Sequence, residues 1–311
     1  MKPSHGHAWG LFNLGAAATI WGSTFVVSRY ALASISFLDL VIMRFICSTV
    51  LFLALFLIRR PHMPHGHEWW LYLGSAVTGY VLSIPLQFLG TSLTSAHIGS
   101  IVTCATPLAM VVLAGLFLHE RIRLRDILAI SIALAGVALI SLEGLRRSSG
   151  PSGIQWLEGV VALLGAAVTW ALYSLFLRLI TTRQSSLAAT GISNALGLFI
   201  LLPLFIPHAG EVSKTVKAHP LLGLAIAYLG TVSTFLGFFL WTLGLQQVSS
   251  ISASSLMFFF QPLAGTLLGA LVLREQVSAP TLAGGLLIFI GLVSGISRPP
   301  VKESLEDPVP L

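Results

Sequence analysis

Two prolines at matching positions point to the part of the chain most suited to binding a small molecule. Pro107 and Pro262 each fall near the middle of an apolar segment. Proline lacks an N–H and crowds the carbonyl four residues earlier, so the carbonyls of Thr103 and Phe258 lose their helical partners. Irregular backbone inside a membrane is typical of a cavity wall, although the prolines could also serve only to shape packing. We therefore take both prolines as candidate gating residues.

Aromatic and polar side chains of the apolar segments are the candidate binding residues. Rings with a few hydroxyl and amide groups bind small amphipathic solutes by stacking and hydrogen bonding. The alternative for each ring is packing against another helix. The candidate substrate-binding residues are Trp21, Ser23, Thr24, Tyr80, Gln87, Thr103, Thr106, Trp170, Tyr173, Thr234, Trp241, Phe258 and Gln261.

Arg44 is the strong charge expected well inside an apolar segment. Inserting an arginine there costs about 2.5 to 3.5 kcal/mol unless the side chain pairs or reaches the interface. Asp39 and Arg29, expected near the same membrane face, could form a charged cluster with it. Two roles stay open for Arg44, a structural one and a functional one as a gate or an anion contact.

The remaining titratable residues and motifs indicate neither a metal site nor an enzyme. Glu120 and Glu275 are expected at the ends of two segments, where capping is favoured over paired-carboxylate chemistry. Clustered histidines are expected to be exposed, with metal binding as the weaker alternative. They are His5, His7, His62, His65 and His67. The sequence has no P-loop, His-Glu-x-x-His or Gly-x-Ser-x-Gly motif, so we expect no catalytic residues and no cofactor.

The composition predicts a membrane protein. Of the 311 residues, 55% are hydrophobic and only 9% are charged, against about 25% charged in soluble domains. Apolar runs of about 20 residues recur and are long enough to cross a bilayer as helices. We place ten spans at about 9–30, 38–58, 69–89, 96–118, 124–142, 156–177, 186–206, 221–242, 251–273 and 278–297.

The chain reads as a duplication. The segment from Pro107 to Gly136 recurs 155 residues later, from Pro262 to Gly291. The expected divisions are a tail at 1–8, a first repeat at 9–142, a linker at 143–155, a second repeat at 156–297 and a tail at 298–311. Because five spans per repeat is an odd number, the second repeat is expected to cross the membrane inverted. Duplicated hydrophobic halves are typical of transporters.

Positive charges predict the orientation. With the N-terminus inside, ten Lys and Arg residues fall on inner segments and six on outer ones, which favours cytoplasmic termini. The same rule explains the net charge of +6 without a nucleic-acid partner. Small-xxx-small motifs at Gly265–Gly269 and Gly291–Gly295 could serve an internal interface or a homodimer, so monomer and homodimer both stay open.

These motifs resemble the EamA family of the drug/metabolite transporter superfamily. The matching pieces are Trp21-Gly22-Ser23-Thr24-Phe25, Arg44, Thr106-Pro107-Leu108 to Glu120 with Gly136, and Gln261-Pro262-Leu263 to Glu275 with Gly291. The resemblance implies ten helices in two inverted five-helix repeats, a central cavity, and export or exchange of small metabolites by alternating access. The first span lacks the buried glutamate of the small four-helix multidrug members, which argues against proton antiport.

We therefore predict an all-α carrier in the bilayer of the bacterial inner membrane. Its expected solutes are small amino-acid-like or amphipathic metabolites. The alternative from another class is a membrane-embedded sensor or scaffold that binds a ligand without moving it.

Overall fold

The apolar segments form helices throughout the part of the chain that the structure describes. The structure is a computed structural model describing residues 5–117, 151–248, 257–275 and 277–296, with isolated positions at 124, 128, 131, 132, 135, 136, 138, 139 and 142. Within these ranges no residue is in a β-strand. The all-helical expectation is therefore confirmed for the described residues. The expected fifth span and the linker lie mostly outside them, and Glu120 and the whole C-terminal tail lie outside them entirely.

Thirteen α-helices can be given bounds in these ranges. The first-half helices are α1 (His5–Ala31), α2 (Phe37–Arg59), α3 (Glu68–Ser75), α4 (Ile84–Leu93), α5 (Ala96–Val102) and α6 (Thr106–Phe117). Those of the second half are α7 (Pro151–Thr181), α8 (Ser186–Phe205), α9 (Ala209–Ala218), α10 (Pro220–Tyr228), α11 (Gly237–Gln247), α12 (Phe260–Val272) and α13 (Ala279–Ile296).

Six helical segments of the described residues are long and apolar enough to span a membrane. They are Ala8–Ala31, Phe37–Arg59, Glu68–Leu93, Gly153–Thr181, Ser186–Ala218 and Pro220–Gln247. Shorter apolar helices cover Ala96–Met110, Phe260–Val272 and Ala279–Gly291. The protein is therefore a multi-pass membrane protein.

Several bounds differ from the expected ones. Helix α1 already begins at His5, inside the expected N-terminal tail, and α7 begins at Pro151, inside the expected linker. The seventh span continues past a 3-10 turn at Ile206–His208 into α9, whose polar sequence contains Glu211, Lys214 and Lys217.

Two long helices are widened at related places in the two halves. A π-helical segment, Ala76–Ser83, joins α3 to α4, and a second, Leu229–Leu236, joins α10 to α11. Below we call them π1 and π2. A π turn displaces the side chains that follow it from the α-helical register, and such turns occur often at functional sites.

The expected proline interruptions are also present in both halves. A 3-10 turn at Thr103–Ala105 precedes Pro107, and another at Met257–Phe259 precedes Pro262. The Thr103 carbonyl accepts a 2.7 Å hydrogen bond from the Thr106 hydroxyl, so a side chain satisfies this oxygen beside the break.

Serine caps fix where two equivalent helices begin. Ser36 precedes α2 and its hydroxyl accepts from the Asp39 N–H, while Ser185 precedes α8 and accepts from the Ala188 N–H. Both serines have extended backbone, as N-cap residues do. The two helices therefore have a common register counted from their caps.

The two halves interlock through their first helices. Helix α1 packs against α11 and α12 of the second half, and α7 packs against α4, α6 and π1 of the first half. In the same way α2 contacts π2, and α8 contacts π1. The space between the halves is thus bordered by both π segments and by the proline-containing helices.

Candidate functional site

A cavity lies between the two halves, at the level of the interrupted helices. It holds about 410 Å³ of space not filled by atoms, part of which is open to the outside. Nine of the predicted site residues line it: Trp21, Thr24, Arg44, Gln87, Thr103, Thr106, Trp170, Phe258 and Gln261. Five further residues complete the wall: Ser83, Ile84, Ala166, Ala167 and Phe238.

Aromatic rings form one side of this cavity. The ring of Trp21 meets that of Trp170 edge-on, with centroids 4.9 Å apart, and that of Phe238 at 5.5 Å. Phe258 lies 6.4 Å from Trp21. Edge-on pairs of this kind hold each ring in place. The cavity therefore offers a rigid apolar surface to a solute.

Polar groups form the other side. The Gln261 amide donates a 2.7 Å hydrogen bond to the Thr103 hydroxyl, which joins α12 to the 3-10 turn of the first half. Gln261 is 4% exposed and Thr106 only 2%. Because both residues stand immediately before a proline, the helix breaks place amide and hydroxyl groups in the cavity wall.

Arg44 enters the cavity from α2 and is held by π2. Its Nε donates to the Thr234 hydroxyl at 2.7 Å, and its Nη2 donates to the Ser233 hydroxyl at 3.2 Å. Ser233 also shares a 2.6 Å hydrogen bond with Thr24 and accepts from the Trp21 indole through its carbonyl at 3.1 Å. Arg44 is 1% exposed, so the guanidinium does not reach the interface by snorkelling.

The chain matches a known family in both of its halves. The sequence profile of the EamA-like transporter family matches residues 8–142 and again 157–294. The chain belongs to the EamA-like transporter family. The duplication predicted from the sequence is confirmed by this double match, and the protein is a membrane transporter and not an enzyme.

Curated relatives align over most of this EamA protein. A probable amino-acid metabolite efflux pump of Escherichia coli is 25% identical over 282 residues, covering 88% of this chain and 90% of the relative. The relative of the same name in Salmonella typhimurium is 26% identical, with coverage of 88% and 90%. An uncharacterized transporter of Archaeoglobus fulgidus is 25% identical over 90% of this chain and 95% of its own.

A solved crystal structure shares the fold. It is 19% identical, has a TM-score of 0.61, and the match covers 92% of this EamA chain and 97% of the other. At this identity the likeness supports the fold alone.

Several predicted site residues of the EamA chain lie behind the cavity wall. The Tyr80 and Tyr173 rings are buried and pack against each other at 5.7 Å, and Trp241 packs against Trp21 at 5.3 Å. The Thr234 hydroxyl is occupied by Arg44. Ser23 bonds the Ile20 carbonyl and the Tyr228 hydroxyl. Tyr80, Tyr173, Thr234 and Trp241 thus pack against or bond wall residues without lining the space, and Ser23 does not line it either.

The two candidate gating prolines stand beside the cavity wall, and the charged cluster that the sequence suggested is absent among the described residues. Pro107 and Pro262 each stand one residue beyond a wall residue and do not line the cavity. The cluster of Arg29, Asp39 and Arg44 does not form. Arg29 donates to the Thr91 and Ser92 carbonyls at 3.2 and 2.6 Å, and Asp39 accepts from Ser36 at 2.6 Å.

Some wall residues carried a sequence signal that we did not use. Ala166 and Ala167 belong to the Leu-Gly-Ala-Ala stretch that repeats an earlier one at 14–17. Small residues at such a position leave room for a cavity. The wall residue Ser83, and Ser233 which bonds Arg44, gave no comparable signal, because their positions depend on the π segments.

Glu275 closes one end of the helix bundle. Its carboxylate accepts from the backbone N–H groups of Ala96 and His97 at 3.0 and 3.1 Å, and lies 2.8 Å from the His97 ring Nδ1. The carboxylate therefore caps α5, where negative charge is favoured. Gly269 leaves room for it, since a Cβ there would lie 2.8 Å from Oε2. At this place the Gly265–Gly269 motif serves an internal interface.

We expect the contribution of Glu275 to stability to be lost in acid. Burial raises the pKa of its carboxyl, but the hydrogen bonds from His97 and the two N–H groups outweigh burial, so the pKa lies below its ordinary value. A lowered folded pKa stabilises the protein above the ordinary glutamate pKa, and the gain disappears as the pH falls through the folded pKa. Thermal unfolding in detergent should show wild type a few degrees above Glu275→Gln at neutral pH, a difference of about 1 kcal/mol. The two unfolding temperatures should converge as the pH falls below the ordinary glutamate pKa and through the lowered folded pKa. A gap that is unchanged in acid would contradict this role.

The prolines should matter for transport more than for insertion. Alanine restores an N–H at either position, so Pro107→Ala and Pro262→Ala are expected to straighten the breaks that place Thr106 and Gln261 in the wall. Membrane expression should stay near the wild-type level while flux falls by about tenfold. Pro203→Ala is the matched control, because Pro203 is an exposed proline inside α8. Normal flux in both cavity variants would show that the breaks are not needed.

Proposed function

We propose that this EamA-like transporter exports or exchanges small amino-acid-like or amphipathic metabolites across the bacterial inner membrane. The observation that carries the proposal is the cavity between the two halves, lined from both by aromatic rings, hydroxyls and amides at the interrupted helices. A few fixed polar groups on an apolar surface suit a small solute with one polar end. The names of the Escherichia coli and Salmonella relatives support amino-acid metabolites.

The proposed mechanism is alternating access around this cavity. Ten spans in two inverted repeats would allow each half to rock against the other, exposing the cavity to one side at a time. The contacts of Glu275 with α5 are the kind that must form and break in such a cycle, because they join two helices at one end of the bundle.

The proposed topology predicts different labelling of two equivalent loops. Both termini are placed in the cytoplasm, so the loop after span two lies inside and the corresponding loop after span seven lies outside. Met63 is 51% exposed in the first loop. Gly210 lies in the polar helix α9 of the second connection and has no atom within 4 Å of an added Cβ. With Cys47 and Cys104 replaced by alanine, Gly210→Cys should react with an impermeant maleimide on intact cells. Met63→Cys should react only after permeabilisation. Equal labelling on intact cells would contradict the inverted repeat.

The experiment that tests the function is flux into liposomes containing the purified protein. A panel of labelled L-amino acids, their simple derivatives and amphipathic cations is compared with protein-free liposomes. We expect saturable uptake of at least one amino-acid-like solute. Saturable binding in detergent without any flux would instead indicate a membrane-embedded sensor.

A further inference from the structure

Arg44 has a hydrogen-bond donor that no group in the described part of the chain uses. Two of its nitrogens are held by Thr234 and Ser233, whereas its Nη1 is buried and has no hydrogen-bond partner among the described residues. The residue lines the cavity. The polar contacts to π2 therefore fix the guanidinium in the wall of the space between the two halves and leave its Nη1 without an acceptor among the described residues.

The positive charge of Arg44 is also unmatched by any carboxylate of the described residues. The chain has 11 acidic residues, and in the described ranges no carboxylate forms an ion pair with Arg44. Asp39, on the same helix, is engaged by Ser36 and lies 3.9 Å from His208. The ring faces of Phe88 and Phe45, 5.1 and 5.9 Å from the guanidinium carbon, provide the other close electrostatic contacts. A buried charge of this kind is unfavourable unless something neutralises it.

The other repeat shows that the helix itself does not require a cation. Counted from the caps Ser36 and Ser185, Arg44 and Ser193 occupy the same position of α2 and α8. Ser193 is fully buried and shares a hydrogen bond with Ser75, beside π1. A small neutral residue is thus sufficient to join the helix to its π segment. The positive charge of Arg44 is therefore not needed to pack this helix against its π segment.

A second unused donor belongs to the same cavity. The Trp170 indole Nε1 is buried without a partner among the described residues, and Trp170, 7% exposed, lines the space with Arg44. Among the described residues, the cavity wall contains no acidic side chain. One fixed positive charge with an additional N–H suits an anion of charge −1 with two oxygens, such as a carboxylate.

We propose that Arg44 and Trp170 bind the carboxylate of the transported solute, so that the protein selects amino acids and related monocarboxylates over their neutral or cationic counterparts. This inference rests on the proposed function and specifies its substrate class. The Nη1 group supplies charge and a hydrogen bond, the indole supplies a second donor, and the rings of Trp21 and Phe238 face the remainder of the solute. Ser233 and Thr234 act as positioning residues that hold the guanidinium.

The test compares acids with their amides. Liposomes with the full-length protein are assayed for uptake of labelled L-leucine, L-phenylalanine and L-threonine, and of the three corresponding carboxamides. The amide keeps the side chain and the amino group but lacks the negative charge. Wild type should transport at least one acid about tenfold faster than its amide. Equal rates for acid and amide in every pair would overturn the assignment.

Three variants separate binding from folding. Arg44→Gln should lower the acid rate to that of the amide, with little change for the amide. Arg44→Lys should keep part of the preference, because it keeps the charge. Trp170→Phe keeps an aromatic ring in the wall but removes the indole N–H together with the five-membered ring, and should lower the preference by about threefold. Equal loss of acid and amide transport in a well-folded Trp170→Phe or Arg44→Lys protein would also overturn the assignment.

The outcomes distinguish this inference from the proposed function. If wild type transports amides or amphipathic cations as well as the acids, the transporter assignment stands and the carboxylate assignment fails. If no panel solute moves, the proposed function itself fails. If Arg44→Gln does not fold, the acid-to-amide rate ratios of wild type and of Trp170→Phe still test the carboxylate assignment.

Discussion

Replacing Gly22 with alanine is expected to reduce transport by about tenfold. Helix α1 crosses α12 at this glycine, and a Cβ there would lie 2.6 Å from the Gln261 carbonyl oxygen and 2.9 Å from the Gly265 nitrogen. Both are backbone atoms, so the helices must separate. Overpacking of this kind typically destabilises by about 1 to 3 kcal/mol. Flux in liposomes and thermal unfolding in detergent measure the two consequences.

Gly15→Ala on the same helix is the matched control. A Cβ at Gly15 would meet the Phe260 ring at 3.6 Å and the Met257 sulfur at 3.7 Å, which are ordinary contacts. Its flux should stay within about twofold of wild type. If both variants behave alike, the close α1–α12 crossing is not what the cavity depends on.

Replacing Gln261 with leucine should also lower transport strongly, again by about tenfold. The substitution removes a donor and an acceptor from the cavity wall and breaks the 2.7 Å hydrogen bond to Thr103, while Pro262 and its helix break remain. Leucine is one atom shorter but of similar volume, so packing is largely kept. We expect a higher half-saturating solute concentration together with a lower maximal flux.

Gln246→Leu is the control for this change. The Gln246 carbonyl accepts a 2.7 Å hydrogen bond from Ser186, outside the cavity. The same substitution at this position should leave the half-saturating solute concentration within about twofold of the wild-type value. Normal transport by Gln261→Leu would remove Gln261 from the site.

The sequence predicted the wall where a residue type dictates local structure. Proline cannot continue a helical hydrogen-bond ladder, so Pro107 and Pro262 predicted the two helix interruptions. The residues immediately before them, Thr106 and Gln261, line the cavity. Trp21, Thr24 and Trp170 were identified because large or polar side chains are conspicuous in apolar segments.

The sequence could not predict what depends on helix register. No residue type requires a π turn. Yet π2 places the hydroxyls of Ser233 and Thr234 beside Arg44, and their hydrogen bonds hold the Arg44 side chain in the cavity wall. Tyr80 and Tyr173 look like binding residues in the sequence but pack against each other. A ring that faces a helix and one that faces a solute have the same local sequence, because tertiary packing alone distinguishes them.

The central claim is that a solute bound in this cavity is carried across the membrane, and counterflow tests it most directly. Liposomes containing the protein are loaded with the unlabelled amino acid that the panel identifies and are diluted into a trace of the labelled one. We predict a transient accumulation of label above equilibrium, which is absent in Gln261→Leu. Saturable binding without accumulation, or entry that internal solute does not stimulate, would contradict alternating access through this cavity.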